Sequence, residues 1–414
     1  MSRTPHHDVL IAGAGPAGAH TALRLARRGW RVALLDARTF PREKPCGEFL
    51  SPACLPLLEE LELLEPLLRS GAARVNGMDL VAHGSRTHGD FAALGRFSPT
   101  HGGGLGVRRE VLDHQAVRAA QAEPNVEVLL GWRVRGPLQR ADGRTVGCAV
   151  RDPEGTAVEL HSRFVVGADG SNGRLARMLG WRDPAREPAR FAIVARFEEV
   201  PARPHAEVHL LGRDYFAACP IDAGLFTANL VLDGRELVGR GAALEALFRE
   251  RLRDAPALAE RLSGARLHAA VSACGPLRSQ VRRCSAPGIA LVGDACGFVD
   301  PLTGEGLYFA MQGARLLAAE LDAALHDPRR EPAALRRYGR ARRLEFAPRY
   351  GLARLLQRGL RRPGVPDRVV AALDRAPAVY DLLLGLTGDY VPPRGLLTPG
   401  VWLSLLARGR AVAG

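Results

Sequence analysis

Asp8-Val9-Leu10-Ile11-Ala12-Gly13-Ala14-Gly15-Pro16-Ala17-Gly18 is the stretch that decides the fold. Val9 to Ala12 is a short apolar, β-rich run, and glycines at Gly-x-Gly-x-x-Gly spacing follow it without a gap. Ala19 to Arg28 then sets Ala22, Leu23, Leu25 and Ala26 at helical spacing, and Gly29 closes the segment. Arg31 to Leu35 reads as a second strand ending at Asp36. Together these segments make a βαβ unit. Gly13, Gly15 and Gly18 permit a tight turn and a close backbone approach. Pro16 and Ala17 open the helix whose N-terminus meets a pyrophosphate. Asp36, with Ala37 beside it, stands where a carboxylate bonds a ribose hydroxyl pair. No second glycine signature follows a later strand, so one resident dinucleotide is expected.

The same design recurs further out. Phe164 to Gly167 is a strand running into Ala168-Asp169-Gly170, and Ile289 to Val292 runs into Gly293-Asp294-Ala295. Each places a carboxylate at the C-terminal end of a parallel strand, where open α/β sheets bind ligands. Past Pro301 and Gly304-Glu305-Gly306, Leu307 to Leu325 reads as a helix. Between these turns, Phe191–Phe197, Glu207–Leu211 and Phe226–Leu232 alternate like strands, with one helix near Leu244–Leu252. The predicted architecture is α/β: a doubly wound Rossmann-like domain, an inserted mixed and largely antiparallel β domain, and a C-terminal helical extension.

Composition narrows the class. Hydrophobic residues make up 47% and charged residues 24% of 414, and mean hydropathy is −0.06. No apolar run reaches the roughly 18–20 residues of a membrane span. Met1 to His7 hold no signal-peptide core, so the expected location is the cytoplasm. The seven cysteines contain no Cys-x-x-Cys pair and are odd in number, so no disulfide framework and no metal site are expected. The net charge of +13 is uneven: from Arg329 onward 17 arginines face six acidic residues. No groove-reading motif accompanies them, so nucleic acid is not an expected partner.

As a set, the three motifs resemble FAD-dependent oxidoreductases of the geranylgeranyl reductase and p-hydroxybenzoate hydroxylase (group A flavin monooxygenase) superfamily, over about residues 1–330. The resemblance implies FAD as cofactor, with NADPH or NADH as transient reductant. It implies that Gly13, Gly15 and Gly18 cradle the pyrophosphate and that Asp36 holds the adenosine ribose. Arg109 matches the family arginine that contacts FAD, and Arg42 is placed near the flavin. Asp169 belongs to the motif used for FAD and nicotinamide contacts, Gly293-Asp294 to the one that bonds the ribityl chain. Gly304 and Gly306 would lie against the flavin pyrimidine edge, beside a helix N-terminus suited to the negative charge of reduced flavin. On this resemblance the FAD-binding domain spans 1–75, 105–185 and 275–330, a substrate domain 76–104 and 186–274, and a basic helical extension 331–414.

Pro41 to Glu48 resembles the reductase branch's Lys-Pro-Cys-Gly stretch and contains Lys44, the one lysine beside 56 arginines. Lys44, Cys46, Glu48 and Tyr215 are candidate catalytic residues because the resemblance puts them near the flavin. The reductase branch carries Tyr-x-Trp-x-Phe-Pro where this chain reads Tyr215-Phe216-Ala217-Ala218-Cys219-Pro220. Losing two large rings implies a wider pocket and a different substrate. The tryptophans at 30, 132, 181 and 402 do not form the Trp-x-Trp pair of flavin halogenases.

Two reactions stay open. One is NAD(P)H-dependent hydroxylation of an aromatic or polyketide-derived substrate through a flavin C4a-hydroperoxide. The other is hydride transfer at a carbon–carbon double bond of a lipid or secondary metabolite. A redox-inert binding protein on the same scaffold would purify colourless. In the extension, Leu344 to Leu360 mixes leucines with Arg343, Arg349, Arg354 and Arg358. It reads as a helix with a solvated basic face packed over the substrate pocket, or as a peripheral contact to the inner membrane face or to a carrier-protein-bound substrate.

Overall fold

A computed structural model of the protein describes residues 7–183, 190–237, 243–277, 279–298, 301–401 and 403. Met1 to His6 and Trp402 lie outside the described residues.

The opening unit forms as read. Strand His7–Ala12 pairs in parallel with Val32–Asp36 on one side and with Ala157–Gly167 on the other. Val126–Leu130 extends the sheet beyond Val32–Asp36, and Ile289–Leu291 extends it beyond Ala157–Gly167, both in parallel. Val9, Leu10, Ile11, Leu34, Val165 and Val166 are fully buried. Helices cover one face of these strands, and the antiparallel strands Arg133–Gln139 and Thr145–Arg151 with Leu175 cover the other, so both faces need apolar residues. Helix Pro16–Ala26 starts with proline at its first turn, and its Ala19, Ala22 and Leu23 pack under the sheet with the long helix Gly306–His326. Gly18 is fixed by this packing: a Cβ there would sit 1.8 Å from the Gly13 carbonyl oxygen.

The second sheet runs in the order Arg266–Leu267, Arg190–Glu198, Phe226–Asp233, Asp214–Pro220, His205–Leu211, Gly77–Ala82, Ser85–Asp90. Every pair is antiparallel except His205–Leu211 with Gly77–Ala82. Its two faces divide by alternation. Phe216, Ala228 and Leu230 point toward Leu247, Phe248 and Leu258 of the helices Leu244–Leu252 and Pro256–Arg261. Val208, Tyr215 and Val231 point the other way.

Among the described residues the extension holds three α-helices, Glu331–Leu360, Val365–Asp374 and Pro377–Thr387. The first continues through Pro348 without a break. Tyr380 and Leu384 bury against Phe91 and Cys219, and Val370 against Tyr215 and Val208, so the extension packs on the face of the second sheet opposite helices Leu244–Leu252 and Pro256–Arg261.

Two expectations are corrected. Cys284 and Cys296 form a disulfide with their Cα atoms 5.4 Å apart. Spacing alone hid it, because the antiparallel pairing of Ser285–Ala286 with Ile289–Leu291 folds twelve residues back on themselves. Arg349, assigned to a solvated basic face, is only 2% exposed.

Candidate active site

A cleft opens where the glycine turn, the Pro41–Glu48 strip and the N-terminus of helix Gly306–His326 meet. It is lined by Gly15, Pro16, Ala17, Lys44, Cys46, Glu48, Arg109, Asp294, Gly304 and Gly306, together with Phe49 and Phe298. A second, larger chamber of about 250 Å³ adjoins it and shares Lys44, Cys46, Phe49, Arg109, Asp294 and Gly304 with it.

The first chamber has the chemistry of a dinucleotide site. Gly15, the N-cap of helix Pro16–Ala26, brings no side chain to its first N–H groups. A Cβ on Gly15 would lie 3.6 Å from Arg42 Nη2 and 3.9 Å from Arg109 Nη2. Uncapped donors and two guanidiniums thus converge where a pyrophosphate would be held. Arg109 is buried and donates from Nε and Nη2 to both oxygens of Asp113, at 2.8 and 2.7 Å. Burial opposes its charge, but the Asp113 carboxylate outweighs that and holds the guanidinium firmly protonated. Arg42 Nη2 reaches the same carboxylate at 3.3 Å. Asp36 accepts from Ala14 N–H and Arg38 N–H, each at 2.9 Å, and so faces the glycine turn from the next strand. Ala37 follows it, half-buried.

Asp294, on the cleft wall, sits in the turn Gly293–Cys296. Burial pushes its carboxyl up, and Lys44 and Arg109 pull against that shift. Lys44 is held below the ordinary lysine range by Arg109 and by burial, with Asp294 and Asp113 opposing. A Cβ on Gly293 would meet Ala17 Cβ at 2.8 Å, and one on Gly304 would meet Phe49 at 3.0 Å. Helix Gly306–His326 is also uncapped, since the Glu305 carboxylate bonds the Thr303 hydroxyl instead. Its free N–H groups and positive end therefore face the chamber. These features fit FAD: cation-flanked donors at one end, an uncapped helix at the other, and an acid between them.

The candidate residues do not all gather at one point. Lys44 and Cys46 line both chambers; Glu48 lines only the nucleotide cleft and Tyr215 only the larger chamber. Glu48 is fully buried, with φ +58°, and accepts from Arg196 Nη2 at 2.6 Å and Nε at 3.2 Å. Burial raises its carboxyl while Arg196 opposes. Asp169 turns its carboxylate onto its own loop, accepting from Arg174 and Leu175 N–H at 2.6 and 3.1 Å. Its neighbours Ala168 and Gly170 line the cleft, and Ser171 and Asn172 the larger chamber.

The larger chamber is mostly apolar. Ala192, Val208, Tyr215, Ala217, Cys219, Val231, Leu277 and Leu302 line it, and Glu207 and Asn229 interrupt them. Asn229 Nδ2 donates to Ala217 O at 3.2 Å.

Sequence reading missed the cluster behind Gly304-Glu305-Gly306. Arg349 donates to Asp389 Oδ1 at 2.8 Å and to the Asp389 and Leu386 carbonyls at 3.1 Å. It also lies 3.7 Å from Glu305 and 3.5 Å from Glu345. Ser51 donates to Asp389 at 2.7 Å, and Tyr308 to Glu345 at 2.7 Å. Burial pushes both the Asp389 and Glu305 carboxyls up, and Arg349 pulls against that shift. The extension is thereby tied to the turn beside the cleft. Asp113 was within reach of the sequence, four residues after Arg109 on one helix face. Arg349–Asp389 was not, because nothing local pairs residues 40 apart.

One more grouping was not foreseen. His88, Asp90 and His205 bring ligand atoms within 4.8 Å of one another on an exposed sheet face, outside both chambers. Asp90 already accepts from His205 at 2.7 Å and Asp79 bonds His88 at 2.6 Å, so they read as an ion-pair network.

Comparison with known proteins agrees with the geometry. Residues 6–347 match the family described as FAD binding domain. The conditioned medium factor receptor 1 of Dictyostelium discoideum is 28% identical over 345 residues, 80% of this chain and 66% of that protein. A menaquinone reductase of Mycobacterium tuberculosis is 29% identical over 349 residues, covering 78% of each chain. A 12-dehydrotetracycline 5-monooxygenase/anhydrotetracycline 6-monooxygenase of Streptomyces rimosus is 28% identical over 77% of this chain and 63% of its own. Among solved structures, a myxobacterial chondrochloren halogenase superposes with a TM-score of 0.79 at 22% identity, over 94% of this chain and 98% of that one. At that identity the likeness establishes the fold alone.

Proposed function

The chain belongs to the FAD-binding domain family and is an FAD-dependent oxidoreductase, and from that premise we propose that it hydroxylates a hydrophobic, ring-bearing substrate, consuming dioxygen and NADPH or NADH. The observation that carries this reading is the wall of the larger chamber. Ala217 and Cys219 stand on its face of strand Asp214–Pro220, where large rings would narrow it. A flat, broad substrate gains room there that a thin chain does not need. The reading takes residues 1–75, 105–185 and 275–330 as the flavin-binding part, 76–104 and 186–274 as the substrate part, and 331–414 as the extension.

Bound FAD would supply the redox chemistry, accepting hydride from the nicotinamide and passing electrons on. Overall, substrate C–H, O₂, NAD(P)H and a proton become C–OH, water and NAD(P)⁺. The chain's own residues bind and orient. The Gly13–Gly18 turn, Arg42 and Arg109 hold the pyrophosphate, and Asp36 the ribose. Asp294 holds the ribityl chain. The uncapped start of helix Gly306–His326 favours negative charge on the ring. Lys44 and Arg109 add positive charge at the wall between the chambers, which favours a phenol bound there as its anion. The apolar walls exclude water.

A second reading, reduction of a carbon–carbon double bond, is favoured by Lys44 and Cys46 lining both chambers. Either side chain could then hand a proton to a substrate carbon. The two readings separate in one experiment with NADPH, ¹⁸O₂ and a panel of lipophilic phenols and alkenes. Label in the product supports hydroxylation. A product formed without oxygen and heavier by two hydrogens supports reduction and overturns the first reading.

A further inference from the structure

Helix Glu331–Leu360 presents two unlike faces, and the function proposed above uses only the inner one. Arg336, Arg340, Arg343, Arg354 and Arg358 are all exposed, at spacings that place them in one stripe with Ala347 and Gly351 between them. The stripe runs for roughly 33 Å at 1.5 Å per residue. Among the described residues none of the five has a carboxylate partner, whereas Arg337, one step around the helix, pairs with Glu320 at 2.8 Å. Leu344 and Leu355 flank the stripe on the side of Arg337, 67% and 65% exposed. Near its C-terminal end Leu360 packs against the hydrophobic cluster that holds Val208, Tyr215 and Val231, residues that also wall the larger chamber.

We infer that this face docks the enzyme on an anionic lipid bilayer, with the arginines on headgroup phosphates and Leu344 and Leu355 in the acyl boundary. A straight row of unpaired guanidiniums alone suits any polyanion. The two leucines decide among polyanions, because acyl chains bury them and a nucleic-acid backbone leaves them in water. No helix among the described residues is long and apolar enough to cross a membrane, so the contact is a surface one. Docked this way, the helix whose Leu360 packs against residues of the chamber wall lies at the bilayer. The inference does not depend on whether the reaction is hydroxylation or reduction.

The test uses full-length, FAD-loaded protein and sedimentation with phosphatidylcholine vesicles, with and without 40% phosphatidylglycerol. Binding is expected only to the anionic vesicles and is expected to weaken with salt. The triple variant R336Q/R340Q/R343Q should bind on the order of 100-fold more weakly, at about tenfold per 1.4 kcal/mol and about 1 kcal/mol per arginine. Its flavin spectrum and melting temperature should be unchanged, since Arg336, Arg340 and Arg343 are exposed. In a separate variant, Leu344→Trp, the new indole should shift to the blue on vesicles. Failure of wild-type protein to sediment with anionic vesicles overturns the proposal, as does undiminished binding by the triple variant. Tight binding to duplex DNA with no blue shift on vesicles would also overturn it and assign the stripe to nucleic acid.

Discussion

The inner and outer faces of helix Glu331–Leu360 carry the same residue type under opposite physics. On the inner face one arginine, Arg349, is withdrawn from water and meets Asp389, Glu305 and Glu345. On the outer face five arginines meet no carboxylate among the described residues and keep their water. A buried guanidinium costs several kcal/mol to desolvate and survives only where carboxylates and carbonyls surround it. An exposed one costs little and contributes little to folding. The inner arginine is therefore architecture and the outer ones are available for binding. Composition alone cannot tell them apart.

The contrast can be broken first at Arg349. Arg349→Ala strands Asp389 and Glu305 without their cation, and denaturant unfolding should show a loss of about 3–5 kcal/mol. A loss below 1 kcal/mol would mean that the cluster does not tie the extension to the Gly304-Glu305-Gly306 turn.

The same cluster predicts a pH effect. Burial raises Asp389 and Glu305 in the folded chain, so the native state holds more protons than the unfolded one. Their contribution is fully present below the ordinary carboxyl range near pH 4 and is lost as pH rises through the raised folded values. Asp389→Asn should flatten melting temperature against pH above about 4, and an unchanged slope would contradict the raised Asp389 carboxyl.

On the outer face the effects reverse or vanish. A Cβ at Gly351 meets nothing within 4 Å, so Gly351→Ala should stabilise the helix by roughly 0.5–1 kcal/mol. Arg340→Gln should leave folding within about 0.5 kcal/mol of wild type in the same unfolding assay. A larger loss would show that the stripe is packed rather than solvated.

Legibility followed the range of the interactions. The βαβ unit, Asp36 and the Asp294 turn were readable because a strand, a glycine turn and a helix N-terminus are local devices with local spacing. Arg109 was readable through its motif, and Asp113 through helix periodicity. The strands of the second sheet showed as alternation, but alternation does not say that Glu48 would fold back onto Arg196. Nor does it show Arg349 choosing Asp389, since such a pair exists only after three elements have packed. The disulfide stayed hidden for the same reason, because a hairpin and not a motif brings Cys284 to Cys296. Lys44 was conspicuous as the lone lysine, and the structure places it on the wall between the two chambers.

The reaction class is open to one direct measurement on the purified protein. The flavin is reduced anaerobically with NADPH or NADH, mixed with oxygenated buffer, and its spectrum followed by stopped flow. The account predicts yellow protein, reduction by nicotinamide, and a transient flavin–oxygen adduct before the oxidised spectrum returns. Slow, monophasic reoxidation with no adduct would contradict hydroxylation and move the assignment to double-bond reduction.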